Sequence, residues 1–190
     1  WINANPIGSF RHLKKYPIIM PLVVCIFLIN IAAHAVQSTW SYFTMEKFQW
    51  NERMVGYSLG VIGILLTIVQ AGLIRVIIPK LGIAKSIILG LSLNCISLLG
   101  YGLVDSTMLL FVTSIFYVFA GIAGPAMQSS ISNHTPANEQ GQIQGGLTSI
   151  ISLTAIIGPL VMTSLFSFFT KKNGPIYLPG APFFLGSFLA

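Results

Sequence analysis

The sequence predicts an all-α fold, a polytopic membrane helical bundle, and three observations carry that expectation. Of 190 residues, 54% are hydrophobic and 7% charged, with a mean hydropathy of +0.82, which is too little polar surface for a water-soluble domain of this length. Apolar runs approaching or exceeding the roughly 20 residues that cross a hydrocarbon core of about 30 Å recur along the chain. Runs this long lack the short alternating segments of a membrane barrel, and in lipid the backbone must bond within its own segment, so each run is expected to be a helix.

Residues 1–16 hold Arg11, Lys14 and Lys15 and read as a loop, leaving 17–190 as the membrane-embedded part. Pro17–Phe43 is the first complete span. It is about twice the length of a signal-peptide apolar core and is followed by no small-residue cleavage site, so it is expected to be a span rather than a secretory signal. Met54–Ile78, Leu81–Val104, Met108–Ile131 and Ile143–Phe169 follow as complete spans. A sixth begins near Ala181 and stops at Ala190, where about ten residues at 1.5 Å rise cover half the membrane. The chain opens on Trp1 rather than methionine, and it is expected to be a piece of a longer membrane protein.

The short connections at Pro79–Leu81 and Asp105–Thr107 are expected to make neighbouring spans antiparallel. Gly124–Ile150, GPAMQSSISNHTPANEQGQIQGGLTSI, reads as a polar, glycine-punctuated hinge whose one acid is Glu139. Gly-Pro pairs at Gly124–Pro125 and Gly158–Pro159 are expected to break otherwise continuous spans. Gly56, Gly60 and Gly63, with Gly121, Gly145 and Gly146, permit close helix approach.

Loop charges set an expected orientation. With the first segment cytoplasmic, the inner side holds Arg11, Lys14, Lys15, Arg75, Lys80 and Lys85, and the outer side holds Lys47, Arg53, Lys171 and Lys172. The formal charge of +6 is thereby a topology determinant, and no basic cluster with interleaved aromatics points to nucleic acid. Cys25 and Cys95 lie in different apolar runs without CxxC spacing or histidine partners, so neither a disulfide nor a metal is indicated. His12, His34 and His134 fall in separate segments with no HExxH-like spacing, so neither an enzyme nor a bound cofactor is expected.

Polar groups at membrane depth are the candidate functional residues. Asn30, His34, Gln37 and Ser41 recur at i, i+4, i+7 and i+11 and form one narrow stripe on the first span. Such a stripe faces either a water-accessible cavity or an interhelical hydrogen-bond clasp, and His34 is its candidate proton carrier. Gln70, Asn94 and Gln128 add one amide each to the next three spans, and Trp40 is either a cavity residue or an interfacial anchor.

Trp40, then Phe48-Gln49-Trp50, then VGYSLGVIGILLTIVQ from Val55 to Gln70 resemble the second half of the tetracycline-exporter branch of the major facilitator superfamily. So do GPAMQ, EQGQIQGGLTSI and IIGPL within Gly124–Leu160, and NPIGSFRHL resembles the end of those carriers' central cytoplasmic loop. The resemblance covers Asn5 to about Phe169.

The resemblance implies that residues 1–16 end the central cytoplasmic loop. The spans would be helices seven to twelve of a twelve-helix carrier, in which two halves rock about a site near the midplane. It implies export of drug-like or amphiphilic small molecules, tetracycline-like or multidrug, by proton antiport across the bacterial cytoplasmic membrane. The implied partners are the lipid bilayer, the preceding half, a small-molecule substrate and protons. A carrier for another solute or a non-transporting membrane sensor are the alternatives. The segment with Glu139, Gln140, Gly141, Gln144 and Gly145 would be the cytoplasmic connection between helices ten and eleven, its glycines compacting the turn and its amides capping helix ends. Two positions depart from the branch. Leu66 stands where the best-known tetracycline exporters have a histidine, and Asn94 where they have an aspartate, and neither titrates near neutral pH.

Overall fold

The computed structural model describes residues 17–171 and 176–190. The expected loop 1–16, with His12, Arg11, Lys14 and Lys15, lies outside the described residues, as does Lys172. Among the described residues the chain is helical: α1 Ile19–Phe48, α2 Glu52–Ile68, a π-helical segment Val69–Leu73, α3 Ile74–Leu81, α4 Ile83–Leu103, α5 Thr107–Ala120, α6 Ala123–Asn133, α7 Gln140–Thr170 and α8 Ala181–Leu189. Five continuous stretches are long and apolar enough to cross a membrane: Ile19–Phe48, Glu52–Leu81, Ile83–Leu103, Thr107–Asn133 and Gln140–Thr170. These are the five expected spans, and four of them run beyond the expected ends. Hydropathy marks where lipid stops, whereas hydrogen bonding carries the helix on into the interface, as through Glu46 and Lys47 in α1.

Helix ends follow local chemistry. The Asn51 side chain accepts from Met54 N–H at 2.9 Å, and Glu52 in the first turn of α2 complements the helix dipole. Ser106 caps α5 through Leu109 N–H at 3.3 Å. The connection expected at Pro79–Leu81 is instead helical, and Gly82 alone joins α3 to α4. Its φ of 81° is open to glycine and strained for other residues, which lets one residue reverse the chain.

The Gly-Pro pairs behave differently from one another. The fourth span breaks at Gly121–Ile122, one turn before Pro125, because Pro125 has no N–H for the carbonyl of Gly121 four residues back. Pro159 leaves α7 unbroken, and α1 packs along α7 in the most extensive helix pair among the described residues.

The polar hinge is also corrected. Most of Gly124–Ile150 is helix, with only His134–Glu139 between α6 and α7. Gln140, Gly141, Gln144 and Gly145 form the first turns of α7, where no side-chain cap is made, and Glu139 is its N-cap residue. Ile143, Leu147, Ile150 and Thr154 recur at helical spacing and are buried, so an apolar stripe hidden among glycines and amides drives the helix. The Gln128 side chain donates to Gln144 Oε1 at 2.6 Å and ties α6 to α7.

Two cores result. Ile19, Val23 and Ile26 pack with Met127, Ile131, Ile143 and Leu147 toward one end. Toward the other, Trp40 packs edge to face on Tyr101 and Phe43 on Phe183, with Tyr101 tilted against Phe183, at ring centroids 4.8–5.5 Å apart. Beyond this aromatic core, Lys47 pairs with Asp105 at 2.8 Å and the Tyr177 hydroxyl donates to Glu46 Oε1 at 2.9 Å. Partial burial raises the Tyr177 hydroxyl above its usual 10.0, helped by its bond to Glu46 and by that residue's charge.

Candidate functional site: an amide-lined cavity

One cavity brings most of the polar depth residues together. It holds about 310 Å³ and is walled by Asn30, Ala33 and Gln37 of α1, Leu66 of α2, Gln70 of the π segment, Asn94 of α4, and Tyr117, Gly121 and Pro125 of α5 and α6. A groove of about 670 Å³ between the first turns of α1 and α4 and the end of α6 is larger, but its walls are almost wholly aliphatic, Ser130 and His134 excepted.

Two backbone irregularities shape the cavity from opposite sides. The π segment widens one turn and carries Gln70. Across from it lies the Gly121 break, where a Cβ would sit 3.3 Å from Leu66 Cδ2 and 3.6 Å from Gln70 Nε2. A helix kept straight at either place would close this space.

The polar groups here are mostly unpaired. The Asn30 amide donates to Ile26 O of its own helix at 2.7 Å, which leaves its carbonyl oxygen free. Gln37, Gln70 and Asn94 make no side-chain hydrogen bond among the described residues. Asn94 is 7% exposed and its Oδ1 is buried without a donor, an arrangement that costs about 1–3 kcal/mol unless something enters to satisfy it. None of these amides clasps another helix.

The other expected residues fall elsewhere. His34 turns toward α7, where Gly158 makes room for it: a Cβ on Gly158 would lie 2.2 Å from His34 Cδ2. Ser38 Oγ donates to the His34 carbonyl oxygen. Trp40 is buried, with Nε1 donating to Ser58 Oγ at 3.0 Å, and belongs to the aromatic core. Ser41 lies half-buried outside the cavity, and its carbonyl oxygen accepts from Thr44 Oγ1 at 3.3 Å. Gln128 serves the α6–α7 link. Asn94, one of the depth amides, joins the wall, and so does Tyr117, which was not among the candidate residues. An amide at membrane depth was the available signal for Asn94; Tyr117, inside the aromatic run Phe116-Tyr117-Val118-Phe119, gave none.

An all-helical multi-pass membrane protein with an amide-lined, open-sided cavity at span depth defines the class. The chain belongs to the Major Facilitator Superfamily, whose sequence pattern matches residues 3–159. It is 29% identical over 182 residues to the class C tetracycline resistance protein of Escherichia coli, covering 95% of this chain and 46% of that one. It is 32% identical over 160 residues to the class E protein of Escherichia coli, covering 84% and 40%. The chain thus spans about half the length of the curated relatives it matches. The crystal structure of the human organic anion transporter MFSD10 (TETRAN) superposes with a TM-score of 0.76 at 24% identity, over 88% of this chain and 38% of that one, a likeness of fold.

Proposed function

We propose that this chain is the C-terminal half of a bacterial cytoplasmic-membrane exporter of drug-like or amphiphilic small molecules, working by alternating access with proton exchange. The observation that carries the reading is the amide-lined cavity. Unpartnered amides at membrane depth are costly unless they meet water or a ligand, and here Asn30, Gln37, Gln70 and Asn94 make no side-chain hydrogen bond to another helix among the described residues. The tetracycline resistance proteins among the relatives favour export over uptake and over a sensor or an enzyme. The preceding half supplies the facing wall. The amides of the cavity wall cannot exchange a proton near neutral pH, so the exchanged proton is carried by His34 or by the preceding half.

Efflux of a fluorescent amphiphile from cells expressing the full-length protein tests the reading. Gln37→Leu and Gln70→Leu are expected to reduce efflux several-fold at unchanged expression; unaltered efflux in both would remove the cavity from the transport path. His34→Gln keeps hydrogen bonding and abolishes titration near neutral pH, so a flattened pH profile assigns the proton to His34 and an unchanged one assigns it to the preceding half. For orientation, Asn133→Cys is expected to resist an impermeant thiol reagent in intact cells, while Asn51→Cys reacts.

A further inference from the structure

Every polar side chain in the cavity wall is neutral. Asn30, Gln37, Gln70 and Asn94 are amides and Tyr117 is a phenol. The titratable member of the same stripe, His34, is turned against Gly158 and does not line the space. The carboxylates Glu46 and Asp105 are engaged with Tyr177 and Lys47 near the ends of their spans. An ion brought against this wall would give up hydration and meet no counter-charge. A neutral group that donates and accepts hydrogen bonds meets what the wall offers. Asn30 has one of its two N–H donors committed to Ile26 and keeps its carbonyl oxygen unbonded, while Gln37 and Gln70 have both ends of their amides unbonded. Asn94 holds a buried acceptor oxygen that no donor of the protein reaches, and a half-turn of its amide about χ2, a soft torsion, would exchange that oxygen with the amide nitrogen.

We infer that this half of the cavity selects an uncharged, hydrogen-bonding aromatic or amphiphilic segment of the substrate, with Asn94 accepting from a neutral N–H or O–H of that segment. The inference rests on the transport reading and names its substrate class. A space of about 310 Å³ is at the lower bound of ligand pockets and suits one fused-ring segment rather than a whole large drug.

Acridone, N-methylacridone and N-methylacridinium test it, because they share one tricyclic frame and differ in donor and charge. Acridone donates and accepts, its N-methyl derivative only accepts, and the acridinium is a permanent cation. Binding of each radiolabelled probe to the detergent-purified full-length protein is read by scintillation proximity, with proteoliposome transport of the same probes as a second readout. Acridone is expected to bind roughly five- to tenfold tighter than N-methylacridone, the worth of one neutral hydrogen bond. That ratio should fall toward one in Asn94→Leu with Gln70→Leu. Asn94→Asp, which keeps the side-chain shape, should raise acridinium affinity relative to acridone by a similar factor. Equal binding of acridone and N-methylacridone by the native protein, persistence of the ratio in the leucine variant, or no binding of any probe overturns the inference. Should the leucine variant not fold, the native ratio and the aspartate variant still decide. Transport of both neutral probes without discrimination sinks the inference and leaves the exporter reading standing. Discriminating binding without transport does the reverse.

Discussion

The two flanks of α1 handle polarity in opposite ways. On the flank that carries Trp40, the polar groups in and around the aromatic core are paired: Trp40 Nε1 with Ser58 of α2, the Tyr101 hydroxyl with Ser114 Oγ of α5 at 3.0 Å, and Ser187 Oγ of α8 with the Cys95 carbonyl of α4 at 2.9 Å. On the cavity flank, Gln37 faces outward with no partner and Asn30 bonds only its own helix. Residues of similar polarity therefore belong to two economies. Paired groups fix the packing, and unpaired groups wait for something that is not part of the fold.

The contrast breaks most visibly at Trp40. Trp40→Ala removes a buried ring stacked edge-on to Tyr101 and the donor to Ser58 Oγ, so a loss of about 3–5 kcal/mol is expected, read as a large drop in melting temperature in detergent. Retained melting behaviour would mean that the aromatic core does not hold this half together. Next comes the boundary between the flanks. Gly158→Ala drives a methyl into the His34 ring and is expected to destabilise by about 1–3 kcal/mol. Adding His34→Ala should restore most of that loss, and a double-mutant cycle without coupling would contradict the seating of His34 against α7.

On the cavity flank the expected stability effect is smaller still. Asn30→Leu or Gln37→Leu should change stability by less than about 0.6 kcal/mol, the average of one interhelical hydrogen bond in membranes, while efflux falls. A lowered melting point with normal efflux would turn the cavity flank into a second structural flank. The smallest effect belongs to the outer contact of Tyr177. Its raised hydroxyl pKa means that the neutral form is favoured in the fold, so the contact with Glu46 is complete below pH 10.0 and is lost as pH rises through the raised value. Tyr177→Phe should cost no more than about 0.5 kcal/mol and abolish that alkaline step in a melting series.

The spans were legible in the sequence because hydropathy is a summed property, and twenty apolar residues outvote any local ambiguity. The polar hinge was misread because glycine and glutamine at Gly141–Gly145 suit both a turn and a lipid-embedded helix, and the decisive buried stripe of Ile143, Leu147 and Ile150 is spread thinly between them. The site was half legible. At about 100° per residue, Asn30, His34, Gln37 and Ser41 fit within roughly 60° of arc, too narrow to foretell that His34 would turn to α7 while Asn30 and Gln37 line the cavity. Asn94 reached the wall through packing of α4, which no local pattern encodes.

The π segment has a consequence for how the second span tolerates change. Val69–Leu73 holds one residue more than an α-helical turn requires, so everything beyond it is out of phase by about 100° with a wheel drawn from Glu52. Deleting Ala71 would let the stretch rewind as α-helix with its hydrogen bonds complete and its composition almost unchanged. The far part of the span would keep its present facing, because the deletion removes the residue that the wide turn absorbs, while the widened turn beside Gln70 would be lost. At this point in the chain, length is a more sensitive variable than chemistry.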